Sequence, residues 1–283
     1  EGAEDNFYFK NYELEVLVSI NQYGFPVYEA AQKTSPLAVD FDGDGEDEII
    51  YGDYNGFIHV LNLDGSEVED ETFPFDTGNQ VWGAAAGADM DGDGLMDITV
   101  VSKSKHFYLL DQNGLKLDFD SEKYLLGTPA IGNLDGDADL EVVFSGYSSG
   151  NMIWALNSDG SAVDGFPLDL GEKVKIGVGL ADFNGNGKDD IVVGTDSDYL
   201  HLFYDDGSEA PGFPYQVGDK IQSAPAILDV DGQKVIFAGS NDNNLYAVNS
   251  DGSLRFSVTA TNKVLNSPAF LEHNNSFYVF FSD

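Results

Sequence analysis

The chain has 283 residues, 42% of them hydrophobic, and a net charge of −37 from 50 acids against 13 bases. That length and apolar content allow a substantial core. The charge argues against nucleic acid and against an anionic membrane surface, both of which call for a broad basic face. The absence of cysteine removes disulfides and thiolate chemistry. No apolar run reaches membrane-spanning length, so direct membrane insertion is not expected.

In chain order, Glu15–Asn21 reads as a strand ending near Tyr23-Gly24, and Phe25-Pro26-Val27-Tyr28 as a second, shorter one. A nine-residue acidic pattern follows at Asp40-Phe41-Asp42-Gly43-Asp44-Gly45-Glu46-Asp47-Glu48 and runs straight into Ile49-Ile50. It returns at Asp89–Asp97, before Ile98-Thr99-Val100-Val101, and with substitutions at Asn133–Glu141 and Asp182–Asp190. Taking Asp229 and Glu272 as the degenerate fifth and sixth copies, the intervals are 49, 44, 49, 47 and 43 residues. Periods of this size suit a four-stranded propeller blade.

Each repeat has one internal order. A short apolar lead-in such as Pro129-Ala130-Ile131 precedes the acidic loop, and a β-rich run such as Leu140–Phe144 follows it. A further run ends at Asp-Gly, as at Asp64-Gly65, Asp159-Gly160 and Asp251-Gly252, which is a hairpin signal. Phe73-Pro74, Phe166-Pro167 and Phe213-Pro214 are read as the last strand, because proline belongs on a sheet edge. No helical period is sustained, so the fold class is all-β. The last repeat stops after two strands, Ser267–Leu271 and Phe277–Phe281. The two N-terminal strands supply its missing half. The expectation is a single domain over 1–283: a six-bladed β-propeller of four-stranded blades, closed by N- and C-terminal strands that share one blade.

The acidic loop between two blade strands, with apolar residues before and after, resembles the FG-GAP and VCBS repeats that build the propeller of integrin α subunits. The resemblance covers nearly the whole chain at repeat level. It is strongest at 40–48, 89–97 and 182–190 and weaker at 133–141, where Ala138 replaces the sixth-position glycine. Integrin propellers have seven blades, against the six expected here. The resemblance implies calcium held by side chains one, three, five and nine and by the carbonyl of residue seven. Carried over, the first site is Asp40, Asp42, Asp44, Glu46 and Glu48. The second is Asp89, Asp91, Asp93, Leu95 and Asp97. The third is Asn133, Asp135, Asp137, Asp139 and Glu141, and the fourth is Asp182, Asn184, Asn186, Lys188 and Asp190. Oxygen donors at this spacing suit a hard cation, which makes about four Ca2+ sites. An EF-hand is excluded, because its twelfth-position glutamate is replaced by Tyr51, Val100, Phe144 or Val193, each inside a β-rich run. The carboxylate count predicts the first two sites to be the tightest and the fourth the weakest. Asp229–Gln233 and Glu272–Asn275 are not expected to hold metal.

No catalytic motif is present. His59 and His201 share one strand position with Tyr108, Trp154 and Tyr246 in other repeats, which reads as packing between blades rather than a sugar-stacking ring. The chain is therefore expected to be no enzyme. It reads as a calcium-stabilised binding or adhesion module of a secreted or cell-surface protein, with a protein or glycan ligand on one loop face, working within a larger surface assembly. The competing class is a carbohydrate-active propeller, lectin or polysaccharide lyase, which rests on fold analogy.

Overall fold

A computed structural model describes residues 31–69, 71–148, 152–274 and 276–283. The N-terminal strands expected at Glu15–Asn21 and Phe25–Tyr28 lie outside the described residues, and with them the shared blade that would close the ring. Among the described residues every regular element is a strand.

Twenty-two strands form five four-stranded antiparallel sheets and one two-stranded sheet, each in sequential order. The first sheet comprises β1 (Leu37–Val39), β2 (Glu48–Gly52), β3 (Phe57–Leu61) and β4 (Phe75–Asp76). The second comprises β5 (Ala86–Ala88), β6 (Asp97–Val101), β7 (His106–Asp111) and β8 (Gly114–Asp120). β9 (Ala130–Gly132), β10 (Glu141–Ser145), β11 (Met152–Leu156) and β12 (Leu168–Asp169) follow, then β13 (Val178–Ala181), β14 (Asp190–Gly194), β15 (Tyr199–Phe203) and β16 (Tyr215–Gln216). The fifth sheet is β17 (Ala226–Val230), β18 (Gln233–Gly239), β19 (Asn244–Asn249) and β20 (Leu254–Thr259). β21 (Ala269–His273) and β22 (Ser276–Phe280) form the two-stranded sheet.

The second strands of the blades are buried on both faces: β6, β10 and β14 are buried at every residue. Their continuous apolar runs, Ile98–Val101, Val142–Phe144 and Ile191–Val193, satisfy that requirement. The cores therefore lie between neighbouring sheets. Ile50, Ile58 and Val60 of the first meet Ile98, Val100 and Leu110 of the second. Phe107 of the second stacks on Phe144 of the third at 4.8 Å. Phe237 of the fifth packs on Phe270 of the two-stranded sheet at 5.1 Å. This face-to-face packing of successive sheets is that of a β-propeller.

Two sequence expectations are refined. The Phe-Pro pairs are not in the outer strand. Each is a cis turn that delivers the chain into a two-residue strand beginning one residue later. The Asp-Gly turns form as expected. Ser66, Ser161, Ser208 and Ser253 donate their amides to the turn aspartates Asp64, Asp159, Asp206 and Asp251, at 2.8 to 2.9 Å.

Candidate metal centres

In an antiparallel blade the turns joining strands one to two and three to four share one end. The turns joining two to three, and the connectors into the next blade, share the other. All four acidic loops join strands one and two, so they lie at one end. The ninth residue of each, Glu48, Asp97, Glu141 or Asp190, is the first residue of a second strand and is almost fully buried. Position two had no expected role. Phe41, Met90 and Leu134 there are core residues. The position-two amide donates to the ninth carboxylate in all four loops: Phe41 to Glu48 at 2.9 Å, Met90 to Asp97 at 3.1 Å, Leu134 to Glu141 at 2.5 Å and Phe183 to Asp190 at 2.8 Å. One side chain anchors the loop in the core while its own N–H aims the last ligand.

The first carboxylate shapes the loop. Asp40 accepts from the amides of Gly43 at 2.9 Å and Gly45 at 3.1 Å, and those glycines sit at φ 79° and 96°. Side chains rarely adopt that backbone region, which is why glycine recurs at positions four and six. In the third loop Ala138 is not in that region, and no bond from its amide to Asn133 replaces the missing one. The Asn133 amide nitrogen donates instead to the Asp137 carbonyl at 2.9 Å.

Three carboxylate groups have oxygens within 4.8 Å of one another: Asp40, Asp42 and Glu48; Asp89, Asp91 and Asp93; and Asp135, Asp137 and Glu141. The remaining expected ligands, Asp44 and Glu46 of the first loop, Asn133 and Asp139 of the third, and Leu95 and Asp97 of the second, lie in the same loops but outside these groups. The fourth loop assembles no such group. Its Asp190 is already saturated: Oδ2 accepts from Phe183, and Oδ1 from Asp205 at 3.0 Å and Asn184 at 3.3 Å. The Asn186 amide donates to Asp205 at 2.8 Å, and the Lys188 ammonium lies 3.3 Å from the same carboxylate. The fourth loop's polar groups are thus bonded to one another and to Asp205, and its asparagines at positions three and five leave it with two ligand carboxylates.

Burial pushes the ninth carboxylates up: Glu48, Asp97 and Glu141 are raised by desolvation, and Asp190 to about 6. A divalent ion would offset that cost, and two observations show that these loops are built to receive positive charge. Glu141 is fully buried, and its Oε1 has no hydrogen-bond partner. A buried oxygen of this kind calls for a proton or a cation. In the second loop the Lys116 ammonium, carried on β8, sits 2.8 Å from both Asp91 and Asp97, the third- and ninth-position ligands. Burial alone would lower the lysine's pKa, but the two carboxylates outweigh it and hold it above its ordinary value.

Lys116 was invisible to sequence reasoning because it is 19 and 25 residues from its partners. Its presence bears on the order expected from carboxylate counts: a cation entering the second loop would have to displace a tethered ammonium. Lys116→Met is expected to tighten calcium binding at that loop by about tenfold or more. Calorimetric titration of a variant with only the second loop intact, with and without the substitution, checks this.

At the shared ring position His59, His201, Tyr108 and Trp154 are each buried to 7% exposure or less, while Tyr246 is partly buried against the core. Each histidine is clasped by carboxylates: His59 by Glu67 and Asp53, His201 by Glu209 at 2.7 Å and Glu172 at 3.6 Å. At the degenerate fifth repeat a tight turn at Asp231-Gly232 replaces the acidic loop, as expected.

The FG-GAP-like repeat family profile matches residues 40–100 and 133–193, each span running from one acidic loop through the strand that follows the next. The chain carries FG-GAP-like repeats. No curated protein matches the sequence. Among solved structures, the chain folds like several distant proteins. BBS1N, solved in complex with ARL6DN, superposes with a TM-score of 0.65 at 12% identity, over 89% of this chain and 75% of that one. The Vibrio cholerae biofilm matrix protein Bap1 gives 0.60 at 20% identity, over 82% of this chain and 40% of its own. The Pseudomonas aeruginosa PilY1 C-terminal domain gives 0.55 at 17%, over 74% and 59%. At these identities the likeness establishes the propeller-type fold. This FG-GAP-repeat chain spans less than two thirds of the Bap1 and PilY1 chains it matches.

Proposed function

We propose that this FG-GAP-repeat chain is a non-enzymatic binding module of a secreted or cell-surface protein, with calcium in its first three loops as a structural ion. The observation that carries the reading is the buried, unpartnered Glu141 Oε1 beside Asp135 and Asp137, an oxygen set that a divalent ion satisfies. In each loop the first, third, fifth and ninth side chains and the seventh carbonyl would hold the ion. Its role is to neutralise crowded carboxylates and fix the loop between two strands. Millimolar calcium outside cells suits loops of middling affinity. Bap1 is a biofilm matrix protein and BBS1N was solved with a protein partner, which supports an adhesive or scaffolding role and assembly into something larger. A polysaccharide lyase is the second reading. Incubating the whole chain with polyuronates in calcium is expected to give retention without cleavage. Release of unsaturated uronate ends would overturn the non-enzymatic reading, and no retention on glycans or surface proteins would overturn the binding reading.

The same proposal closes the ring at six blades. Leu271, Tyr278 and Phe280 of the two-stranded sheet are 47 to 53% exposed and share one face, opposite the face that packs on the fifth sheet. Strands at 15–21 and 25–28 would complete this sheet to four strands. Deleting residues 1–30 is then expected to lower the melting temperature and promote self-association through β22; an unchanged melting curve and a monomeric protein would oppose it.

A further inference from the structure

The end of the propeller opposite the acidic loops gathers lysines among its acids, which include Glu122, Glu172, Asp196, Asp198, Asp219 and Asp242. Lys33 precedes β1, Trp82 precedes β5 and Lys175 precedes β13, while Lys103 lies in the turn between β6 and β7. The Lys33 ammonium sits 3.7 Å from the centre of the Trp82 ring and that of Lys103 4.6 Å. Lys33 and Lys103 make no ion pair with a carboxylate among the described residues, nor does Lys175, although acids outnumber bases 50 to 13. Two more lysines at this end lie over exposed or half-buried rings, Lys105 at 5.8 Å from Tyr124 and Lys173 at 5.5 Å from Tyr147. The aromatic faces gather ammonium groups that would otherwise repel one another.

One acid at this end, Asp196, is engaged. Asp196 accepts from Gln222 at 2.6 Å and from the Tyr147 hydroxyl at 3.2 Å, and it lies 3.7 Å from Lys220. Lys175 donates to the other end of Gln222 at 3.0 Å. Burial, then the charges of Lys175 and Lys103, lower the pKa of Lys33, as expected for cations converging without counter-charge. A ligand carrying negative charge would relieve that convergence.

We infer that this lysine-and-aromatic end binds a carboxylate-bearing polysaccharide. A uronate sugar presents an apolar C–H face, hydroxyls and a carboxylate. The end offers a partly exposed Trp82, a 47%-exposed Tyr124 and the ammonium groups over them. A peptide held by its main chain needs free backbone groups. Here the connectors are already stitched to their own blades, Lys103 N–H to Gln80 O and Asp196 N–H to Lys173 O among them. The acidic loops do not cancel the attraction. Second strands of five residues separate the two ends by about 17 Å, roughly two screening lengths at physiological salt.

The inference rests on the binding-module reading and is tested separately from it. The whole chain, at fixed millimolar calcium, is titrated calorimetrically with an octasaccharide of alternating glucuronate and N-acetylglucosamine, and with a neutral chitin oligosaccharide. The charged sugar is expected to bind, more weakly as salt rises, and the neutral one to bind far less. Lys33→Gln/Lys103→Gln/Lys175→Gln should weaken binding at least about tenfold, since removing each charge-assisted hydrogen bond is worth a factor of that order. Its melting curve should be unchanged, and Lys234→Gln at the opposite end should bind as the parent does. Equal affinity in the triple variant removes this site while leaving a binding module elsewhere on the propeller. Tighter binding of polyglutamate or single-stranded DNA than of the octasaccharide overturns the sugar assignment.

Discussion

In excess chelator the melting temperature is expected to fall by roughly 10–20 °C relative to the protein in millimolar calcium. At a hundredfold excess over the dissociation constant, each site contributes about 2.7 kcal/mol. The first and third loops, with no ammonium in place, together give about 5 kcal/mol, and each kcal/mol moves a chain of this size by about 2–4 °C. The second loop contributes less, because Lys116 already bridges Asp91 and Asp97. The fourth is assigned no ion and no share, because Asp190 already accepts from the amides of Phe183 and Asp205. Scanning calorimetry with and without chelator checks the size, and Glu141→Gln checks the source. The substitution should abolish the third loop's share and supply an N–H in place of the ion. A melting curve indifferent to chelator would mean the loops are self-sufficient acidic turns.

The same carboxylates set the pH dependence of the chelated protein. Glu48, Glu141 and Asp190 have folded pKa values above their unfolded ones, Asp190 at about 6. Their contribution is complete below the unfolded value near 4 and is lost as pH rises through the folded value. Asp64, Asp159, Asp206 and Asp251 act in the opposite sense. Hydrogen bonds from serine hydroxyls and amides hold them low, so their contribution is lost only in stronger acid. Chelated protein should therefore be more stable near pH 5 than near pH 7.5. Calcium should reduce the difference, because it replaces the proton on Glu48 and Glu141, while Asp190, in a loop assigned no ion, keeps its share.

Much of this was legible in the sequence because it is local. The nine-residue loop, the apolar run after it and the Asp-Gly turn each lie within a few residues, and all recur in register at the observed strands. The count of strands in each described sheet follows from that period. What was not legible is contact between distant segments. Lys116 reaches the second loop from the outer strand of its own blade, and Asp205 fills the fourth loop from 15 residues beyond Asp190. Carboxylate counting ranked the sites by their own residues and missed the neighbours that compete for them. The lysine cluster was hidden for the same reason. A chain-wide charge of −37 says nothing of Lys33 and Lys103 meeting from two blades over one tryptophan.

Replacing Gly127 is expected to be the most damaging small substitution in the chain. This residue lies in the connector before β9, where successive blades come closest. A Cβ on Gly127 would stand 1.9 Å from the carbonyl oxygen of Ile176, and one on Gly83 would stand 2.3 Å from the carbonyl of Gly127. Thr128 forms a parallel bridge with Gly177, and its hydroxyl accepts from the Ala84 amide at 3.0 Å. Three connectors therefore touch backbone to backbone, and no side chain can swing aside to make room. A methyl group must separate the second, third and fourth blades, opening the packing between sheets. Overpacking against mobile side chains costs about 1–3 kcal/mol, and against backbone the cost exceeds that range. Gly127→Ala should lower the melting temperature by roughly 10 °C, and Gly127→Val should prevent folding. Gly171→Ala is the control. That glycine sits in a turn at φ 68° with nothing within 4 Å of a Cβ, so only the local backbone penalty of about 1 kcal/mol applies. If the two alanine variants melted together, close approach of the connectors would not be what holds these blades together.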